Sequence, residues 1–424
     1  MRLPRISIPR WTRAAEQIQA AIEQRWGFKV AVIDFLDYRS RVEGIVIAEL
    51  RSGDRRHCLT YPYAWGDMSD LSGFELHGLE RATVERLLHD GATDRGAFSR
   101  FGWIEDALDW VSAEAGIDRT DFTEDVSQFN ASANFALARF GRSTAPPVWF
   151  KAVQDPNLPE YTITTTLSKL FPHYLPTLLA SREDWNAWCT EDSGPSLEIV
   201  RSPELFDQAV SRLAELQKAS IDRVPSLLEC GCVDQRTSVL RAQIPEMMEK
   251  VDEAMGQPNF HHASRLAKSR IREIGSIIED ACLNLESLGI PDTLLHGDFS
   301  FANILAGTRG CVFTDWAHAA VGNPFVNFEQ FRGQVAQETG TAVWVTHLTE
   351  IYRKSWCDFL TDAQIQCALT LVPPIAVALD LIGRWNWIGL ECQREPQFQG
   401  YIRGLARQMD RATQAVVPGA VRCA

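Results

Sequence analysis

The chain is short of positive charge. Lysine and arginine total 42 against 55 aspartates and glutamates, for a formal net charge of -13. That deficit excludes the basic footprint a general nucleic-acid binder needs, and it is compatible with a cationic small partner. No apolar run stands out at the roughly 20 residues a membrane span requires, so no membrane association is expected. The opening residues, Met1 to Arg10, are basic but lack the apolar stretch of a secretory leader. The 10 cysteines follow no repeating spacing. Cys230-Gly231-Cys232 is the one close pair, and no second ligand pair of zinc type lies near it. Buried or idle thiols in a reducing cytoplasm are the expectation. Internal repeats and low-complexity tracts are absent as well.

A length of 424 residues is enough for two or three domains with ample core. Trp11, Ala15, Ile18, Ile22 and Trp26 recur at helical spacing, and Gly27 supplies a stop. Lys29–Phe35 and Val42–Leu50 read as strands. A turn follows at Ser52-Gly53-Asp54, and a third strand begins at Cys58. Helices are expected around Val84, Leu87 and Leu88, and around Ile104, Ala107, Leu108 and Val111. Residues 1–118 therefore read as a separate α+β domain without a chemical constellation.

The next stretch reads as strand, small-residue turn and strand over Val126–Phe129, Asn130–Asn134 and Phe135–Arg139. A third strand covers Val148–Val153, a helix covers Leu158–Leu170, and a fourth strand is expected near Ala180. From about residue 200 the pattern is helical. One helix carries Ile271, Ile274, Ile278, Cys282 and Leu285 on a single face, with Gly289 and Pro291 just past its end. Short strands flanking residues 296–303 interrupt that pattern.

The chemistry concentrates at this interruption. His296-Gly297-Asp298 is followed five positions later by Asn303, and then by Val312-Phe313-Thr314-Asp315-Trp316. A carboxylate can accept the proton of an attacking hydroxyl. Asparagine and aspartate oxygens suit a hard divalent cation. With Gly322-Asn323-Pro324 downstream, this register resembles the signature of aminoglycoside phosphotransferase-type kinases, which are small-molecule relatives of protein kinases. The resemblance runs from roughly residue 120 to 410.

The resemblance implies an α+β, bilobal protein-kinase-like fold. Residues 119–195 would form a small antiparallel-sheet N-lobe and linker, and 196–424 a mostly helical C-lobe carrying the catalytic loop, with 1–118 as an extra domain. The implied reaction is ATP-dependent transfer of the γ-phosphoryl group to a hydroxyl of a small molecule. In that reaction Asp298 would be the base, beside a His296 that braces the loop. Asn303 and Asp315 would hold Mg²⁺. Lys151 would meet the α- and β-phosphates, with Glu160 as its ion-pair partner. The backbone of Ser132 and Ala133 would cover the phosphates, although this turn lacks the Gly-x-Gly-x-x-Gly of protein kinases. Cys189, Thr190 and Glu191 would contact the nucleobase from an interlobe linker, with GTP as open as ATP.

Two departures stand out. Asn323 and Asn327 occupy positions where relatives commonly have Asp, and the first 118 residues are not required by the family. The acceptor stays open among sugars, amino alcohols and protein side chains. It is expected beside the late helices, where Asp380, Arg384, Trp385, Trp387 and Glu391 fall. The alternative is a non-catalytic nucleotide-binding regulatory module on the same fold, motivated by the N-terminal segment. The expected location is cytoplasmic.

Overall fold

A computed structural model describes residues 4–9, 13–36, 44–52, 78–90, 96–256, 265–387 and 396–416. The turn expected at Gly53 and the strand expected from Cys58 lie outside these. The chain divides into two compact units, Met1–Pro172 with Pro176–Asp192, and His173–Leu175 with Ser193–Ala424.

The first unit begins with helix α1 (Ala14–Trp26), strands β1 (Lys29–Leu36) and β2 (Ile45–Ser52), and helices α2 (Gly78–Asp90) and α3 (Trp103–Ala115). It continues with β3 (Phe122–Ala131), β4 (Phe135–Arg142), β5 (Val148–Val153), α4 (Pro159–Leu170), β6 (Leu178–Arg182) and β7 (Ala187–Glu191). The last five strands form one antiparallel sheet in the order β3-β4-β5-β7-β6.

The boundary expected near residue 118 does not separate two compact units, and β1 is the reason. Side chains alternate across a strand, and β1 is buried on both faces. Val30 and Val32 pack with Ala15, Ile18 and Ile22 of α1 and with Ala131 of β3. Ala31 and Ile33 pack with Trp103, Ile104 and Leu108 of α3 and with Phe140 and Phe150 of the sheet. A buried amide reinforces the join. Gln128 of β3 accepts from the Val32 N–H at 2.6 Å and donates to the Val32 carbonyl at 2.9 Å, so it pairs both backbone groups of a β1 residue. Helices α1 and α3 and strand β1 are thus a wall of the five-stranded sheet.

The second unit is mostly helical. It contains α5 (Pro203–Ser220), α6 (Val224–Glu229), β8 (Val233–Asp234), α7 (Thr237–Gly256) and α8 (Lys268–Ser287). Short strands β9 (Thr293–Leu295), β10 (Ile304–Gly307), β11 (Gly310–Phe313) and β12 (Ala320–Gly322) follow, then α9 (Phe325–Thr339), α10 (Ala342–Trp356), α11 (Asp362–Trp387) and α12 (Pro396–Ala415). The predicted face of α8, from Ile271 to Leu285, is buried.

Within α11, Asp362–Gly383 is long and apolar enough to cross a membrane by length and composition, a stretch the sequence reading passed over because Gln, Thr and Asp punctuate it. Of its apolar window, 67% is buried inside the protein, as in the core helix of a helical unit. Cys189, Cys230, Cys232, Cys282, Cys311 and Cys357 form no disulfide, whereas Cys367 is disulfide-bonded, against the expectation of buried or idle thiols throughout.

The fold is α+β. A small antiparallel sheet with α4 carries the lysine strand, and a mostly helical unit carries the loop at 296–303. Sheet, lysine strand, helix and loop follow one another in the order expected from the sequence.

Candidate active site

The loop at 296–303 is set up by two small strand pairings. β9 runs antiparallel to β12, with Ala320 opposite Leu295 and Gly322 opposite Thr293, and β8 flanks β12 in parallel. Its three residues are fully buried, and the Leu294 N–H donates to the buried Ser220 hydroxyl at 2.8 Å. The chain therefore enters His296 from a fixed direction. On the far side, β10 and β11 form a hairpin with Ile304 opposite Phe313 and Gly307 opposite Gly310. A hairpin returns its two ends to the same place. Asn303 lies just before one leg and Asp315 just after the other, and the Thr314 N–H donates to the Asn303 carbonyl at 3.0 Å. The sequence interval between Asn303 and Asp315 is the length of this hairpin.

Asn303 is buried. Its side-chain nitrogen donates to the Asp298 carbonyl at 2.9 Å and to Asp298 Oδ2 at 3.2 Å. The Ser300 N–H also donates to the Asp298 carbonyl, at 2.9 Å. With its nitrogen committed to Asp298, the amide of Asn303 keeps its oxygen as the remaining acceptor end. Asp315 is exposed and has a φ of 67°, a left-handed conformation that is uncommon outside glycine and that aspartate tolerates better than most residues.

His296 is buried and bridges the loop to the β11 end. Its Nε2 lies 2.8 Å from the Thr314 carbonyl. A carbonyl only accepts, so Nε2 carries the proton. Its Nδ1 is buried with no hydrogen-bond partner. The ring packs against Trp316, tilted by 44° at a centroid distance of 4.4 Å. Burial pushes the imidazole pKa down, against the opposing effects of the Thr314 contact and of Asp315 and Asp298. A neutral, buried ring with this bonding is a brace between loop segments.

Gly297 is fixed by its surroundings. Its φ is +75°, and an added Cβ would lie 1.9 Å from the His318 carbonyl oxygen. No other residue permits that approach.

Asn323 and Asn327 both have definite work. Asn327 Oδ1 accepts from the His296 N–H at 2.8 Å, and Asn327 Nδ2 donates to Gln330 at 2.9 Å. Asn323 Oδ1 accepts from the Phe325 N–H at 3.1 Å at the start of α9. Loop support here needs an acceptor rather than a charge, and Asn provides one.

In the first unit, Lys151 of β5 and Glu160 in the first turn of α4 form an ion pair, with side-chain exposures of 11% and 2%. Pro159 opens α4, which suits a first helical position, and places Glu160 directly after it. The Lys151 ammonium also lies over the rings of Phe135 at 5.1 Å and Trp188 at 5.7 Å.

No protein-family model matches the sequence, and no curated protein matches it. Among solved structures, the chain is similar to macrolide 2'-phosphotransferase from Brachybacterium faecium. That likeness has 15% identity and a TM-score of 0.44, and covers 75% of this chain and 99% of that one. It is also similar to a Plasmodium vivax ethanolamine kinase, at 14% identity and a TM-score of 0.46, covering 82% of this chain and 98% of that one. A spectinomycin phosphotransferase solved with ADP and spectinomycin stands at 13% identity and a TM-score of 0.45, covering 73% and 98%.

Two expected nucleotide contacts are placed differently. Cys189 and Thr190 do not lie in a linker. They belong to β7, where Cys189 is opposite Phe150 of β5 and Ala180 of β6, and Thr190 is opposite Trp149 and Leu178. Pairing on both sides occupies their backbone, and only Glu191 ends the strand, its N–H donating to the Thr177 carbonyl at 3.0 Å. The chain passes to the second unit after Asp192. The covering turn is also shorter than expected, because β3 extends to Ala131. Its amides point inward: the Ser132 N–H donates to the Phe135 carbonyl at 3.0 Å, and the N–H groups of Asn134 and Phe135 donate to the Ser132 hydroxyl at 3.3 and 3.1 Å. Ala133 lies at the tip between them.

Beside Asp298, the second unit has a cavity of about 260 Å³. Asp298, Glu329 and Asp380 contribute carboxylates, Pro373 and Val377 give apolar wall, and among the described residues no lysine or arginine lines it. Glu329 is ion-paired with Arg332 one helical turn away. Asp380 was expected here; the side chains of Arg384, Trp385 and Trp387, and all of Glu391, lie outside the described residues.

Sequence reasoning missed Gln334 of α9. Its amide nitrogen donates to the Phe299 carbonyl at 2.7 Å and its oxygen accepts from the Phe301 N–H at 3.3 Å, so it clamps the loop just past Asp298 while also lining the cavity. A glutamine on a helix carries no sequence signal for this role.

Proposed function

We propose that the chain is an ATP-dependent phosphotransferase that moves the γ-phosphoryl group to a hydroxyl of a small molecule. The observation that carries this reading is the hydrogen-bonded pair Asn303–Asp298, held beside Asp315 by the β10–β11 hairpin.

In this reading, Asp298 accepts the proton of the acceptor hydroxyl as its oxygen bonds to the γ-phosphorus. The bond from that phosphorus to the β–γ bridging oxygen breaks, and ADP leaves. Asn303 fixes the Asp298 carboxylate from one side, leaving the other oxygen for the substrate proton. Lys151, oriented by Glu160, places a positive charge on the α- and β-phosphates. His296 stays neutral and holds the loop to the β11 end.

The residues present fit a magnesium ion. Among the described residues no group of three or more His, Cys, Asp or Glu could hold a metal. Mg²⁺ does not need one, since it keeps waters and takes phosphate oxygens alongside one or two protein ligands. The Asn303 side-chain oxygen and the Asp315 carboxylate would hold it. Bound there, it would neutralise charge developing on the phosphates.

The acceptor binds in the cavity beside Asp298. The acidic lining, in which the described residues include no lysine or arginine, favours a hydroxylated molecule that is also positively charged. The test is ATP- or GTP-driven release of nucleoside diphosphate by the purified chain against hydroxylated amines, sugars and antibiotics, with the product read by phosphorus NMR. The reading expects a phosphate ester formed only when acceptor, nucleotide and Mg²⁺ are all present. Nucleotide binding without ester formation on any acceptor would favour the regulatory module instead.

A further inference from the structure

The Cys230-Gly231-Cys232 turn plays no part in phosphoryl transfer, and its geometry is specific. It joins the end of α6 to β8. Gly231, at φ +107°, turns the chain so that both thiols lie on one side, and the two sulfurs are 4.0 Å apart. The Cys230 thiol donates to the Leu227 carbonyl at 3.1 Å. Cys230 is partly exposed, whereas Cys232 is 5% exposed. Backbone bonds from Gly231 to Leu228 and from Cys232 to Leu227, at 3.1 and 3.0 Å, fix the turn.

We propose that Cys230 and Cys232 are a dithiol modification site that closes to a reversible disulfide by exchange with a low-molecular-weight disulfide. Closing the bond requires the sulfurs to move from 4.0 Å to about 2 Å, a shift within the reach of rotation about the two Cα–Cβ bonds. The reaction proceeds in two exchanges. The Cys230 thiolate attacks one sulfur of the small disulfide, whose S–S bond breaks and whose other half leaves as a thiol after taking up a proton. The Cys232 sulfur, giving its proton to solvent, then attacks Cys230 Sγ. The mixed disulfide breaks and the second small thiol leaves. The balance is two protein thiols and one disulfide in, one protein disulfide and two small thiols out.

The order of attack follows from the site. Cys230 is the accessible sulfur. The Cys232 pKa is pushed up first by its hydrogen bond to Cys230, then by burial and by the charge of Cys230. Capping Cys230 as a mixed disulfide removes its charge and weakens that bond, so Cys232 becomes the better nucleophile once Cys230 has reacted. A disulfide in so short a loop is strained, and strained disulfides are the readily reduced ones.

The experiment treats the full chain with oxidised glutathione, quenches with acid, alkylates free thiols, and reads tryptic peptides by mass spectrometry. The peptide from Val224 to Arg236 contains these two cysteines and no other. The expected result is loss of both alkylation sites, a mass two hydrogens lower, and full return on treatment with dithiothreitol. Cys357 is exposed, with its Sγ donating to the Arg353 carbonyl at 3.3 Å, and serves as a single-thiol control that accepts glutathione without closing. Cys232→Ser should stop at a glutathione adduct on Cys230, and Cys230→Ser should leave Cys232 unmodified. A wild-type chain that keeps both thiols alkylatable where Cys357 is modified, or that accumulates the Cys230 adduct without closure, would overturn the proposal. None of these outcomes depends on phosphotransferase activity.

Discussion

The side-chain nitrogen of Asn303 donates to both the carbonyl and Oδ2 of Asp298, at 2.9 and 3.2 Å. One amide therefore fixes the backbone and the carboxylate of the candidate base together. Asn303→Asp keeps the shape, removes the donor and sets two carboxylates side by side. We expect kcat to fall by roughly ten- to a hundredfold, the worth of a hydrogen bond to a charged group, with the KM for the acceptor little changed. Steady-state kinetics against acceptor concentration checks the split. A variant that changes KM alone would contradict the positioning role.

Gly297→Ala tests the close approach of the loop to His318. The substitution adds a Cβ at a positive φ and places it 1.9 Å from a backbone oxygen. Backbone, unlike a flexible side chain, cannot swing aside. The loss of stability should be roughly 2 kcal/mol or more, read from denaturant midpoints. A midpoint equal to wild type would mean that the loop is not held against His318.

The Lys151–Glu160 pair allows stability and chemistry to be separated. Lys151→Met removes the ammonium from beside a carboxylate that is 2% exposed, and should cost about 3–5 kcal/mol. Lys151→Met with Glu160→Leu removes both charges and should recover most of that stability while leaving phosphoryl transfer as low as in the single variant. Recovery of activity in the double variant would show that the lysine serves the fold and not the nucleotide.

His296 makes a pH-dependent contribution. Its pKa in the fold is lowered by burial from an ordinary value of 6.5, so the unfolded chain takes up this proton at higher pH than the native one. The stabilisation is full above about pH 6.5 and declines as pH falls from there toward the lowered native value. His296→Gln keeps a donor for the Thr314 carbonyl but does not titrate. The wild type should lose melting temperature across this window more steeply than the variant, as measured by calorimetry at matched ionic strength. Parallel curves would remove His296 from the account.

Legibility in the sequence followed locality. The pieces around Asp298 could be read because a hairpin of fixed length sets the interval from Asn303 to Asp315, and Lys151 with Glu160 follows from a strand running into the first turn of a helix. The face of α8 was legible for the same reason, since its spacing is local. β7 was not: Trp185 to Glu191 mixes polar and aromatic residues and reads as a linker, and only its neighbours β5 and β6 make it a strand. Nor was the shared core of the first unit, because Val30 and Ala31 of β1 point to opposite partners distant in sequence. Asn327 and Gln334 act through single hydrogen bonds to loop backbone, which leave no composition or period behind.

The most direct test of the central claim is acceptor-dependent ADP release by Asp298→Ala, compared with wild type after both are shown to have the same melting temperature. Removing a general base in this position should lower kcat on the order of a thousandfold, with nucleotide binding retained. A folded Asp298→Ala chain that turns over at the wild-type rate would contradict the account.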